Sequence, residues 1–290
     1  MATPTDDRAK FLAAVEGLRP ELHRYCARMV GSIVDGEDVV QDTLERAFDA
    51  LPTLEEMPPL GPWLFRIAHH RAIDFTRRYE RRMGRSLGDE ESTESSAEDP
   101  EEALARAEAT KLAVARFLEL VPLQRSCVIL KDVLGHSVDE ITTLLESSEP
   151  AVKAALHRGR EKLKTLASET PPTEKEISAD LKRYAALFNA GDWDGLRTML
   201  ADDVRLQLPT KPKRAGKADV GLYFTNYERI GGVTVVPAIV DGEETLVAYV
   251  AGNEAPAYLV RLTLEGGKIT LIRDYRYVPY IADEVAQVRK

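Results

Sequence analysis

Apolar residues recur at three- and four-residue spacing through the first 166 positions, then alternate over the last third of the chain. Phe11, Val15, Leu18, Leu22, Tyr25, Cys26 and Met29 predict a helix over 8–30, with Pro20 ending a short first piece near Arg19. A turn follows at Gly31 to Gly36. Val40, Leu44, Ala47, Phe48 and Leu51 make one face of a helix from Glu37 to Leu51, and Asp38, Gln41, Asp42 and Glu45 make the opposite one. Residues 52–62, PTLEEMPPLGP, are too rich in proline for helix and form a loop. Gly61 to Arg82 is one helix with the apolar stripe Leu64, Ile67, Ala68, Ala72 and Phe75.

Later in the chain, Leu104, Leu112, Phe117, Leu118 and Val121 predict one helix, and Pro122 opens another that Gly135 stops. Ser137 with Glu140 is a capping box for a short helix bearing Ile141, Leu144 and Leu145. After the turn Ser147–Pro150, a helix to about Leu166 buries Val152, Leu156 and Leu163. Beyond the Pro-bearing stretch 168–173, helices at 175–190, 193–200 and 217–229 surround an alternating strand at Val204, Leu206 and Leu208. Strands at 233–240, 244–250, 257–264 and 268–278 complete the pattern, with hairpin turns at Asp241-Gly242 and Gly266-Gly267. That order describes an α+β domain with helices on one curved sheet.

Charge adds chemistry to these faces. The chain of 290 residues carries a net charge of −9, so it does not coat nucleic acid uniformly. The charge is segregated instead. Asp89 to Glu102 holds eight acids and no base, between two basic helices. In the 61–82 helix, Arg66, His69, His70, Arg71, Arg77, Arg78, Arg81 and Arg82 lie mostly off the apolar stripe, where guanidinium groups can meet phosphates. Trp63 and the two histidines add flat faces for stacking. From Ala151 to Lys164 there are five Lys or Arg and one acid, Glu161. A short helix, a brief turn and a basic helix form the helix-turn-helix pattern, with 149–164 as the recognition helix. Cys26 and Cys127 have no CxxC or Cys/His partners, so reduced, buried thiols and a cytoplasmic protein are expected. The N-terminus lacks the order of a signal peptide, and no apolar run suits a membrane span. Motifs for nucleotide cradles, nucleophile elbows and zinc proteases are missing, and no cofactor or metal is expected.

Four stretches, DGEDVVQDTLERAF at 35–48, WLFRIAHHRAIDFTRR at 63–78, LVPLQRSCVILKDVLGHSVDEIT at 120–142 and PAVKAALHRGREKL at 150–163, together resemble the extracytoplasmic-function (ECF) sigma factors. ALFNAGDWDGLRTMLADDVRLQLP at 186–209 and GGKITLIRDYRYV at 266–278 are similar to SnoaL-like domains of the NTF2-like fold. The resemblance implies a multidomain chain: two all-α domains, sigma region 2 over 8–83 and the region 4 helix-turn-helix over 103–167, followed by an α+β NTF2-like cone over 174–290. Residues 84–102 would be an acidic linker and 168–173 a second one. It further implies that Asp38, Gln41, Asp42 and Glu45 dock on the β′ clamp of core RNA polymerase, with the β flap as a further partner. Loop 52–62 would accept a flipped base of the −10 element. Trp63, Arg66, His69, His70, Arg71, Arg77 and Arg78 would hold the −10 DNA. Ser148, Glu149, Ala151, Lys153, His157, Arg158 and Arg160 would meet the −35 element. The chain departs from the family pattern at His70, where Asn is usual, and at Glu146, where a turn Gly is usual.

For the third domain, Tyr184, Phe188, Trp193, Tyr223, Tyr227, Tyr249, Tyr258, Arg261, Arg273 and Asp274 are candidate pocket-lining residues. The domain contains no histidine, and no paired catalytic constellation stands out, so a regulatory role is expected and an enzyme is not. Two other readings fit parts of the pattern: a stand-alone helix-turn-helix regulator, and a SnoaL-like isomerase or cyclase with accessory DNA-binding domains.

Overall fold

The structure, a computed structural model, describes residues 4–54, 56–83, 114–167 and 175–288. The chain forms two units, Met1–Pro171 and Pro172–Lys290. Residues 84–113, which include the acidic run 89–102, and the second linker lie outside the described residues.

The described residues of the first unit form helices joined by turns. α1 runs Pro4–Val30, α2 Ile33–Ala50 and α3 Leu60–Met83. Pro20 does not divide α1. An interior proline costs a helix roughly 3 kcal/mol, yet Phe11 and Val15 before it and Leu22, Tyr25, Cys26 and Met29 after it are buried along one stripe. Packing on α2 and α3 holds both halves to one axis. The predicted six-residue turn shrinks to Gly31 and Ser32, because Ser32 caps α2 by accepting from the Asp35 backbone N–H at 3.2 Å. Gly36 lets α2 close on α1: a Cβ there would lie 2.6 Å from Ala27 backbone atoms. The proline-rich loop keeps one 3₁₀ turn, Leu51–Thr53, before α3.

A 3₁₀ segment Val114–Glu119 leads to α4, Pro122–Val128, which continues as a π-type stretch through Ile129–Val133. α5 (Val138–Leu145) and α6 (Glu149–Ala167) follow. The Ser137–Glu140 capping box forms in both directions. Glu146 ends α5 in the left-handed region at φ 50°, so this turn keeps the tight geometry without a glycine. Gly159 lets α6 pack against Val128 of α4. One apolar cluster runs from Phe11 through Leu64, Phe117, Cys127 and Val152 to Leu166, so the two helical halves share a core. Cys26 and Cys127 are free and buried within it. Burial pushes the Cys127 thiol up to about 12 and the Cys26 thiol higher still.

The second unit begins with α7 (Ala179–Ala190), capped by Ser178, and α8 (Trp193–Met199), capped by Asp192. Then come β1 (Leu200–Gln207), β2 (Arg214–Ala215), α9 (Lys217–Ile230), β3 (Val233–Val240), β4 (Glu243–Val250), β5 (Tyr258–Glu265), β6 (Lys268–Asp274) and α10 (Tyr280–Val288). The six strands form one sheet in the order β2-β1-β6-β5-β4-β3, antiparallel except for the β1–β6 pair. α7, α8 and α9 bury their apolar stripes on one face, around Tyr184, Phe188, Leu196, Tyr223 and Phe224. The predicted strand 268–278 stops at Asp274. Its last residues turn instead, and α10 buries Ile281, Ala282 and Val285. β2 and α10 do not follow from the sequence pattern, since one is two residues long and the other lies at the chain end.

Candidate nucleic-acid interface

The core positions of α3 fix which of its polar residues reach solvent. Leu64, Phe65, Ala68 and Ala72 are buried, which turns Arg66, His70, Arg77 and Arg78 outward. At about 100° per residue, Trp63, Arg66, His70 and Arg77 fall within roughly 60° of arc. Trp63 is half-buried, its ring edge-on to Phe11 with centroids 6.4 Å apart. The structure therefore assembles four of the seven candidate −10 residues on one face and sets Arg78 beside it.

The remaining two are spent inside the protein. Arg71 donates to Asp42 of α2 and, at 2.8 Å, to Asp74; only 14% of its side chain is exposed. It ties α2 to α3. His69 Nδ1 faces the Tyr25 hydroxyl at 2.8 Å and the Ser126 hydroxyl at 3.2 Å. Burial, with His70 alongside, lowers its pKa to about 4, so its ring is neutral near pH 7. By spacing along α3 alone, both residues are candidates for DNA contact. The structure turns both inward, because a helix packed on two sides leaves only one face open.

The acidic face of α2 is assembled as its spacing predicts. Asp38, Gln41 and Asp42 are half-buried and Glu45 is exposed. Gln41 donates to Glu37 at 3.0 Å, and Asp42 also accepts from Arg46 at 3.3 Å. Glu37 itself is fully buried and pairs with Arg19, so it is a strut of the α1–α2 contact.

On α6, Ser148, Glu149, Lys153 and His157 are exposed at the start and along one side, while Ala151 and Arg158 are half-buried. Lys153 pairs with Glu149 at 3.0 Å and Ser148 accepts from the Ala151 N–H at 3.4 Å. Arg160 departs from its expected place. Its guanidinium grips the buried Asp132 carboxylate through two bonds, of 2.9 and 2.6 Å. That bidentate pair braces α6 on the π-type end of α4. The deviant Glu146 accepts from Arg66 at 2.9 Å.

In the second unit, the sheet divides the candidate pocket residues. Tyr184, Phe188, Tyr223, Tyr227, Tyr258 and Asp274 lie on the helix-covered face. There Asp274 Oδ2 accepts from Tyr223 at 2.6 Å and Tyr227 at 2.8 Å, and Oδ1 accepts from the Arg276 N–H at 2.9 Å. The Arg276 guanidinium sits 3.2 Å from the carboxylate and 4.1 Å from the Tyr227 ring centroid. Burial pushes the Asp274 carboxyl up, against the pull of Arg276 and the tyrosine hydroxyls. Burial also raises the Tyr223 and Tyr227 phenols far above their ordinary value. Trp193 is half-buried and stacks on Phe224 and Tyr227. Arg273, Arg261 and Tyr249 occupy alternate positions and point to the other face, so they do not line this site. Arg273 bonds Gln207 and Arg261 pairs with Glu243. Arg276 is absent from the sequence candidates, although the predicted strand 268–278 sets it two positions from Asp274 and so on the same face. Among the described residues no cluster of His, Cys, Asp or Glu could hold a metal ion.

Known proteins resemble each part. Residues 14–82 match the family Sigma-70 region 2, residues 114–163 match Sigma-70, region 4, and residues 181–272 match the SnoaL-like domain. The ECF RNA polymerase sigma factor SigG of Mycobacterium tuberculosis is 28% identical over 316 residues, covering 98% of this chain and 82% of its own length. The ECF RNA polymerase sigma factor SigW of Bacillus subtilis is 26% identical over 166 residues, covering 54% of this chain and 89% of that protein. The crystal structure of the M. tuberculosis ECF sigma factor SigJ covers 95% of this chain and 98% of its own, at 24% identity and a TM-score of 0.37.

Proposed function

This chain belongs to the ECF RNA polymerase sigma factors that carry a SnoaL-like domain, and we propose that named faces of its first unit divide the work of promoter recognition. It binds core polymerase and promoter DNA and directs initiation; this is a binding and positioning role, with no covalent step. Asp38, Gln41, Asp42 and Glu45 on α2 dock on a basic surface of the β′ clamp. The half-burial of the first three gives that stripe a fixed shape, which suits a stable protein contact. Region 4 meets the β flap. Loop 52–62 receives a flipped −10 base.

The open face of α3 holds the melted −10 strand: Arg66, Arg77 and Arg78 neutralise phosphates, and Trp63 and His70 stack on bases. His69 and Arg71 serve this face from behind by fixing the helix. Residues Ser148, Glu149, Ala151, Lys153 and His157 at the head of α6 enter the −35 major groove, with Arg158 further along the backbone path. Arg160 positions α6 through Asp132. The work takes place in the cytoplasm, where core polymerase and promoter are found; no described helix is long and apolar enough to cross a membrane.

The second unit modulates this activity as a scaffold or interaction domain. Its Asp274 carboxylate is saturated by Tyr223, Tyr227 and Arg276, which suits a polar core better than a proton carrier.

The single observation behind this reading is that two cationic faces and one acidic face sit on helices that match sigma regions 2 and 4 in order. Run-off transcription with reconstituted holoenzyme tests it. The expected result is a promoter-dependent transcript whose level changes when residues 174–290 are removed. No transcript with any selected promoter would overturn the sigma role, and an unchanged level would overturn the modulating role.

A further inference from the structure

Among the described residues, β3 ends the sheet of the second unit and has β4 as its one neighbour. Its residues, Val233 to Val240, read VTVVPAIV. They contain no charge and are mostly β-branched, a composition that favours extending a sheet. Val236 on this strand and Val250 opposite its start are exposed. An apolar, uncharged edge strand pairs with another chain unless something blocks it.

The bonding pattern fixes which peptide groups of β3 face outward. The Gly232 carbonyl accepts from the Ala251 N–H at 2.7 Å across the β3–β4 junction, and the Ala248 carbonyl is taken by Ala257 on the β5 side at 2.8 Å. Opposed residues of an antiparallel pair alternate between bonded and non-bonded. Val235 stands opposite Ala248, so it turns its N–H and C=O away from β4, as do Val233, Pro237 and Ile239.

Two of these outward positions are closed. Asn189, in the last turn of α7, lays its side-chain amide along Val235. Its Nδ2 donates to the Val235 carbonyl at 2.9 Å, and its Oδ1 accepts from the Val235 N–H at 2.8 Å. A primary amide offers the same donor and acceptor as a peptide group, so Asn189 fills the place of one residue of a neighbouring strand. At Pro237 the outward N–H does not exist. Asn189 has no other structural duty. Gly191 caps α7 in the left-handed region, its N–H meeting the Leu187 and Phe188 carbonyls. The helix is anchored through buried Leu181, Tyr184, Ala185 and Phe188, whereas Asn189 is exposed.

We propose that Asn189 and Pro237 guard the β3 edge, and that without the Asn189 amide a second copy of this chain adds to it, β3 against β3. The strand suits its own copy. It carries no charge to repel itself, and a two-fold axis at Val235 pairs the two Val235 residues with each other. That axis also sets each Val233 N–H against the other copy's Pro237 carbonyl, so the missing proline N–H does not prevent pairing. The guard stands on the geometry of the second unit alone and is independent of the sigma reading.

Sedimentation velocity on the full-length chain tests it. Asn189→Ala should tighten self-association by about tenfold or more relative to the parent. Adding Thr234→Lys, a charge at an exposed position of the same strand, should reverse that gain. Asn189→Asp should stay at the parent level, because its carboxylate still accepts from the Val235 N–H and charges the edge. Equal association of the parent and Asn189→Ala would overturn the guard, as would an Asn189→Ala oligomer that Thr234→Lys leaves intact. A second measurement uses the unaltered chain and so does not depend on a variant folding. In hydrogen exchange, the Val235 amide should exchange about tenfold or more slowly than the outward amides of Val233 and Ile239. Equal rates at the three positions would overturn the guard.

Discussion

His69 is held neutral by its surroundings: the Tyr25 and Ser126 hydroxyls crowd one ring nitrogen, His70 stands next to it, and water is largely excluded. Its pKa falls from 6.5 to about 4 in the folded unit, chiefly through burial. In the unfolded chain the ring is solvated, so the unfolded state binds the proton more readily between these limits. The stability His69 contributes is fully present above about pH 6.5 and is lost as pH falls toward 4. Denaturant titrations of the full chain at pH 7.5 and pH 5 should show that loss, and His69→Gln should reduce the difference between them. Arg71 and Arg160 teach a related lesson. Both are legible as cations on basic helices, yet each has a carboxylate partner supplied by a different helix, Asp42 and Asp132. Sequence spacing along one helix contains no record of such a partner.

At the scale of elements, the helices follow their apolar spacing closely, and the capping box and hairpin turns appear where local chemistry places them. The misreadings occur where packing outweighs local preference. Pro20 remains inside α1 because the stripe on either side of it is buried. Two glycines show the same contest. A Cβ added to Gly17 of α1 would meet nothing within 4 Å, whereas a Cβ on Gly36 of α2 would strike the Ala27 backbone at 2.6 Å. Gly17→Ala should therefore stabilise the first unit by about 0.5–1 kcal/mol through the unfolded chain. Gly36→Ala should destabilise it by about 1–3 kcal/mol, since α1 and α2 must move apart. Thermal melts of the two variants should shift in opposite directions for the same chemical change.

At the scale of the whole molecule, the second unit has its own apolar core and its own buried polar network. The groups that bond Asp274 come from within that unit: Tyr223 and Tyr227 on α9, and Arg276 just past β6. Residues 172–290 expressed alone should thus unfold in one cooperative transition. Asp274→Ala should lower that unit's stability by about 3 kcal/mol in a denaturant titration, because it strands a guanidinium and two phenols in a largely buried site. A titration matching the unaltered unit would mean that the network is not a structural core.

Taken by itself, the sequence determined the helical first part, the α+β second part, the order of the motifs and the amphipathic faces. Each of these depends on residues a few positions apart, and periodicity reports such short-range relations directly. Tertiary structure alone decided which of the polar residues were left for partners. His69, Arg71 and Arg160 turn inward, Arg273 and Tyr249 take the far face of the sheet, and Arg276 joins Asp274. It also decided that regions 2 and 4 share a core, through Arg125 and Met29, which lie 96 positions apart. Contacts at that separation depend on how whole elements pack, and no local pattern of apolar and polar residues specifies them.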